Sequence, residues 1–228
     1  MTPKQRMLNA YRGLPVDKTP VAPEFWMYYP ARLLGVNMIE FEKETLFWQA
    51  LKFTFEYFGC EGWGIASDGA VCPAAKSTPK MIKLNEKQYQ ETVTTIYKGA
   101  TFEAVRRFDA DEPSWLVKPM VSDVRKIPAA IDMRLDDENY YDFTDAINAY
   151  DAVSESYLLG MYAGDAFFDF IAGLTGFEAA AKYFCDEDEA ILNSYLNRYT
   201  EYHLISAGLI VKLIHYGKDA EKYDNYRR

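Results

Sequence analysis

Two aspartates stand where this chain could do chemistry. Asp68 lies in GWGIASDGAVCP, Gly62 to Pro73, between a short apolar run and a glycine. Asp165 follows Gly164 in SYLLGMYAGDAFF. A carboxylate at the end of an apolar strand can contact a substrate, and a dry strand beneath it raises its pKa. Gly69 lets the backbone turn sharply after Asp68. Each aspartate also has a plainer role, Asp68 in an Asp-Gly turn and Asp165 as the N-cap of the helix that follows. His203 and His215 lie late in one long helical stretch, not at the i, i+4 spacing of a zinc pair and with no cysteine near them. They read as surface or core histidines. Cys60 and Cys72 flank the apolar run around Ile65 and read as small buried hydrophobes. No phosphate-cradling glycine loop, nucleophile elbow or HExxH pattern occurs.

The elements that must position these residues follow from punctuation and periodicity. Thr2, Pro3 and Gln5 form a helix-start signature, and Gly13 ends that helix. VAPEFW, Val21 to Trp26, reads as a short strand despite Pro23. Glu44 to Phe58 reads as a helix with a wide apolar face, stopped by Gly59. GWGIAS is apolar on both faces, as strands of a covered parallel sheet are. Strand, helix and strand in succession make a βαβ unit. PKMIKL and QETVTTIYKG read as an antiparallel hairpin, an excursion from the parallel pattern. A short helix starts at Ser122, and the acidic stretch from Asp136 to Val153 reads as an amphipathic helix. SYLLGMYAG is a further strand. Helices follow in DAFFDFIAGL, in TGFEAAAKYF with Thr175 and Glu178 as a capping box, and from Asp186 onward. The fold class is α/β. In such folds ligands sit beyond the carboxyl ends of the strands. The three loops there supply Trp26, Tyr28 and Arg32, then Ser67 and Asp68, then Gly164, Asp165 and Phe167. Trp26, Tyr28 and Phe167 would line the pocket.

Composition narrows the partners. The formal net charge is −9, which repels duplex nucleic acid. The three cysteines are odd in number and lack CxxC spacing, as in a chain from a reducing compartment. The polar start is no signal peptide, and no stretch approaches the ~20 apolar residues of a membrane helix. The expectation is a cytoplasmic protein with no nucleic-acid or membrane partner. Its many aromatics suit cores and the walls of pockets for flat ligands.

The opening TPKQRMLNAYRGLPVDKTPVAPEFW, with its Arg12-Gly13 and Val16-Asp17-Lys18-Thr19-Pro20-Val21, resembles the start of the uroporphyrinogen decarboxylase superfamily. ARLLGV, FEYFGCEGWGIASDGAVCPAA and LLGMYAGDAFFDFIAGLTGFEAAAKYFCDEDEAILNSYLNRYTEYH continue the likeness. The resemblance implies a TIM barrel acting on tetrapyrroles or on corrinoid-linked methyl groups. It implies that Asp68 matches the aspartate that binds pyrrole N–H groups, where a carboxylate stabilises a protonated pyrrole. The family's arginine-rich loop after the first strand is replaced by MYYPARLLG, with Arg32 alone. Its tyrosine after the third matched strand falls at Ala172 or a neighbour, and its late histidine would lie beyond residue 228. Corrinoid-dependent methyltransferases of the superfamily resemble the aromatic segment EFWMYYPARLLG better. Their zinc ligands, a His-x-Cys and a later Cys, come from a C-terminal half, so no cofactor is expected in this chain itself. Zinc or a corrinoid enters only with such a half. A barrel needs eight βα units in about 250 residues, so residues 1–228 are expected to form a single partial barrel domain. The exposed parallel edges of such a partial barrel invite association into a homo-oligomer. The expected partners are a tetrapyrrole or small methylated substrate and a corrinoid protein. An inactive truncated remnant or binding module is the reading from another class.

Overall fold

Thr2 accepts a hydrogen bond from the Gln5 amide at 3.1 Å and opens the first helix, as its sequence signature predicts. The computed structural model describes residues 1–66, 69–162 and 164–216. In chain order the helices are α1 (Pro3–Tyr11), α2 (Tyr28–Leu34), α3 (Met38–Glu44), α4 (Phe47–Phe58), α5 (Ile127–Arg134), α6 (Thr144–Val153), α7 (Phe167–Thr175), α8 (Phe177–Asp186) and α9 (Glu189–Tyr216). The strands are β1 (Gly62–Ala66), β2 (Ala70–Val71), β3 (Ala75–Lys83), β4 (Gln88–Tyr97), β5 (Ala100–Asp109), β6 (Trp115–Lys118), β7 (Tyr140–Tyr141) and β8 (Tyr157–Met161). The chain is α/β, about half helix, with parallel and antiparallel sheets. Among the described residues no barrel closes, and no helix is long and apolar enough to cross a membrane. Contacts divide the chain into two compact units. Residues 1–69, 108–114 and 143–162 make the first, and the remaining described residues the second.

In the first unit β1 and β8 pair in parallel, from Gly62 opposite Tyr157 to Ala66 opposite Met161. Leu51 and Phe55 of α4, Val153 of α6 and Tyr157 form one buried cluster over this pair. Tyr157 explains two glycines of β1. A Cβ at Gly62 would lie 2.5 Å from its ring, and one at Gly64 2.1 Å from its hydroxyl. The strand is glycine-rich because a neighbouring tyrosine lies flat along its backbone. The segment Val21–Trp26 is not a strand. Pro23 has no N–H to give a ladder, and the segment is held by the Glu61 amide on the Val21 carbonyl and by Trp63 Nε1 on the Pro23 carbonyl. The helix expected from Glu44 begins at Phe47. Asn37 and Glu40 form a capping box that starts α3 instead, and extended backbone at Thr45 and Leu46 separates it from α4.

The second unit holds a four-stranded sheet in the order β3-β4-β5-β6. The hairpin expected from PKMIKL and QETVTTIYKG is its β3–β4 pair, in register from Ala75↔Tyr97 to Lys83↔Tyr89. Edge strand β3 carries Pro79 and three lysines, which discourage further pairing. The sequence reading missed β5 and β6. Lys98 and Gly99, both with positive φ, make the two-residue turn that folds β5 back on β4, and Phe102 and Phe108 are its buried positions. The acidic stretch is not one helix. Asp136 accepts the Glu138 amide at 2.9 Å in a turn, β7 follows and pairs with β2, and helix resumes only at Thr144. Asp123, not Ser122, caps the short turn before α5. Thr175 bonds back to the Ile171 carbonyl, leaving Gly176 as the N-cap of α8. Phe167, Phe170, Phe184 and Tyr199 pack ring against ring across α7, α8 and α9.

Candidate functional site

The parallel register sets Ala66 beside Met161. Both strands end there, at the carboxyl edge of the pair. Ser67 and Asp68 themselves lie outside the described residues. Gly69 has φ 62°, so the backbone makes the left-handed turn that the Asp-Gly pair predicts.

Trp26, Tyr28 and Arg32 belong to the first unit. Trp26 is exposed just before α2. Tyr28, in the first turn of α2, gives its hydroxyl to the Glu112 carboxylate. That bond, with some burial, raises the phenol pKa. Arg32 is exposed in the last turn of α2, where a cation suits the negative end of the helix dipole.

Gly164, Asp165 and Phe167 belong to the second unit. Ala166, not Asp165, holds the N-cap position of α7. The carbonyl of Asp165 accepts the Tyr199 hydroxyl at 2.7 Å. Gly164 has φ 111°, and a Cβ there would meet His203 Nδ1 at 2.3 Å. His203 packs against Tyr199 with the rings tilted and their centroids 4.2 Å apart. Tyr199 and His203, four residues apart on α9, thus hold the loop after β8. The sequence reading did not connect His203 to that loop, and the i, i+4 pairing with Tyr199 was its one signal. His215 lies at the end of α9, and its side chain is outside the described residues. Phe167 is a buried ring of the α7–α9 core.

Two charged networks lie away from those loops. At the amino end of β1, Arg6 meets Asp17 at 2.6 and 2.9 Å and Glu61 at 2.7 Å. Glu61 also accepts the Val21 amide at 2.7 Å and is paired with Lys18. Burial pushes the Glu61 carboxyl up, but these bonds outweigh it and the pKa falls. The Arg6 hydrogen bond holds Asp17 well below the usual range. This network ties α1 to the strand start, opposite the candidate edge.

In the second unit, a cavity of about 590 Å³ is lined by Tyr97, Lys98, Asp132, Asp136 and Arg198 among others. Asp136 Oδ2 accepts Tyr97 at 2.5 Å and Lys98 at 2.7 Å, and Arg198 pairs with Asp132 at 2.7 Å. Burial raises the Asp136 pKa, yet the bonds from Lys98 and Tyr97 prevail and bring it down to about 2. Lys98 is raised by its bond to Asp136. Tyr97 is raised by burial and by the same carboxylate. At neutral pH lysine and tyrosine keep their protons and the carboxylate is saturated with donors. The cluster offers no free base or nucleophile, and it latches the β4–β5 turn to α5. Burial likewise raises Cys72, so its thiol stays protonated.

Among the described residues no group of three or more His, Cys, Asp or Glu is placed to hold a metal ion. Comparison with known protein families, with curated proteins and with solved structures finds no match.

Proposed function

We propose that this chain carries out carbon-group chemistry on a tetrapyrrole or a corrinoid-linked substrate, in the manner of the uroporphyrinogen decarboxylase superfamily. A TIM-barrel-type arrangement of its parallel strands belongs to the same proposal. One observation supports it: β1 and β8 pair in parallel, with Ala66 beside Met161 at their carboxyl ends. Helices α4 and α6 pack over that pair, as βα units do. In the decarboxylase form, the bond from a pyrrole side chain to its carboxylate breaks, carbon dioxide leaves, and the carbon takes a proton. Asp68 would hold the ring N–H groups and offset the positive charge of the protonated pyrrole.

The exposed rings of Trp26 and Tyr28 favour the methyltransferase alternative, because they offer an apolar surface to a corrin or an aromatic methyl donor. No His-x-Cys pattern occurs in the sequence.

The test is equilibrium binding of uroporphyrin and of methylcobalamin to the wild-type chain and to Asp68→Ala. Loss of binding in the variant, with its melting temperature unchanged, supports the reading. Equal binding by both proteins, or none by the wild type, overturns it. Release of carbon dioxide from uroporphyrinogen then marks the decarboxylase, and loss of the methyl group from methylcobalamin marks the methyltransferase. Binding without either turnover marks a binding module.

A further inference from the structure

Lys98 is the one non-glycine among the described residues with a positive φ, 44°. It sits in a two-residue turn where asparagine or glycine is the easier choice, because an L side chain is disfavoured in that region. From there its ammonium reaches Asp136 at 2.7 Å, in the wall of the cavity of about 590 Å³ in the second unit. Asp132 lies four residues before Asp136, near the end of α5, and pairs with Arg198 at 2.7 Å. The Tyr97 hydroxyl reaches both, the Asp132 carbonyl at 3.3 Å and the Asp136 carboxylate at 2.5 Å. Two cations are thus held on neighbouring aspartates along one wall.

Neither cation is used up by its aspartate. An ammonium has three N–H groups and a guanidinium five. Each gives one to its partner, and the Lys98 side chain is 60% exposed and that of Arg198 41%. Arg198 keeps a fork of N–H groups that matches a carboxylate. The acidic side is open as well. The Glu138 amide donates to Asp136 Oδ1 at 2.9 Å, which fixes Glu138 at the same wall. Among the described residues its own carboxylate accepts no hydrogen bond. The lining sets two cations against four carboxylates, counting Asp137, so negative charge is in excess. Among the described residues these acids do not converge on a metal ion, and an organic cation suits the excess. Ala100, Ala129 and Leu135 give its methylene groups an apolar surface. A cavity of this size is in the range of small-molecule sites. A ligand that uses both the spare N–H groups and the excess carboxylates carries one carboxylate and more than one positive group.

We propose that this cavity binds a free α-amino acid with a basic side chain, its carboxylate taken by Arg198 and Lys98 and its side-chain cation by Glu138. Titration calorimetry of the full chain tests this with L-lysine, L-arginine, L-glutamate and putrescine, which has the cations without the carboxylate. The variants are Arg198→Gln and Glu138→Gln. The exposed Glu138 side chain holds no other group in place, so its variant keeps the wild-type melting temperature. The expected result is saturable binding of L-lysine or L-arginine, weakened about tenfold or more in each variant, as loss of a charged hydrogen bond implies. L-Glutamate and putrescine should bind more weakly than either. No binding of L-lysine and L-arginine by the wild type overturns the proposal, as does equal binding by wild type and Glu138→Gln. Putrescine bound as tightly as L-lysine shows that the carboxylate contact is absent, and L-glutamate bound as tightly shows that the excess charge is not read; either overturns it. The result does not depend on which substrate Asp68 serves.

Discussion

Replacing Gly64 by alanine tests why β1 carries a second glycine, two residues beyond the Gly62–Tyr157 pair. The added Cβ would lie 2.1 Å from the Tyr157 hydroxyl, 3.0 Å from Cζ and 3.2 Å from Cε1. The ring cannot swing away freely. Tyr157 is 1% exposed and meets Phe55 edge-on at 5.9 Å. Overpacking of this kind costs about 1–3 kcal/mol. The backbone at Gly64 is not in the left-handed region, so the cost is steric. Tyr157→Phe should by itself be neutral or stabilising, because its buried hydroxyl has no partner to lose. In the double variant the closest approach relaxes from 2.1 Å to the 3.0 Å of Cζ. It should recover more than half of the loss, a coupling on the order of 1 kcal/mol. Urea denaturation of the four proteins measures this through midpoints at constant slope. A Gly64→Ala protein as stable as the wild type, or strictly additive effects, would refute the steric account.

Other outcomes follow from the charged networks and caps. The Asp136 carboxyl, ordinarily 3.8, is depressed to about 2 in the fold. Its contribution is thus complete above pH ~4 and is lost as pH falls toward ~2. The stability gap between wild type and Asp136→Asn should shrink across that window, read as urea midpoint against pH. A constant gap would show that the carboxylate's charge is not what matters. Glu61→Ala takes one of two carboxylates from the buried Arg6 guanidinium, leaving it Asp17 alone, and frees the buried Val21 amide, so it should lower the melting temperature more than Glu86→Ala, which removes an exposed pair with Lys83. Asn37→Ala removes the side-chain acceptor for the Glu40 amide and should cost about 1 kcal/mol in thermal unfolding.

The sequence alone determined the elements whose signals are local. Thr2 and Gln5 mark the start of α1, Gly13 and Gly59 mark the ends of α1 and α4, and alternation marks the β3–β4 hairpin, because capping, left-handed turns and pleating act within a few residues. The α/β class and the strands at Gly62 and Tyr157 were legible for the same reason. Tertiary structure decided what depends on partners far along the chain. Pro23 and Glu61 settle that Val21–Trp26 runs alongside β1 without joining a ladder. The Asp136 turn, held by Tyr97 and Lys98, breaks a stretch whose periodicity reads as one helix. Phe167 reads as a pocket wall until Phe184 and Tyr199 close around it. The glycines of β1 have a reason only once Tyr157, more than ninety residues later, lies over them. Local pattern fixes which backbone shapes a segment can take, and burial against distant side chains selects among them.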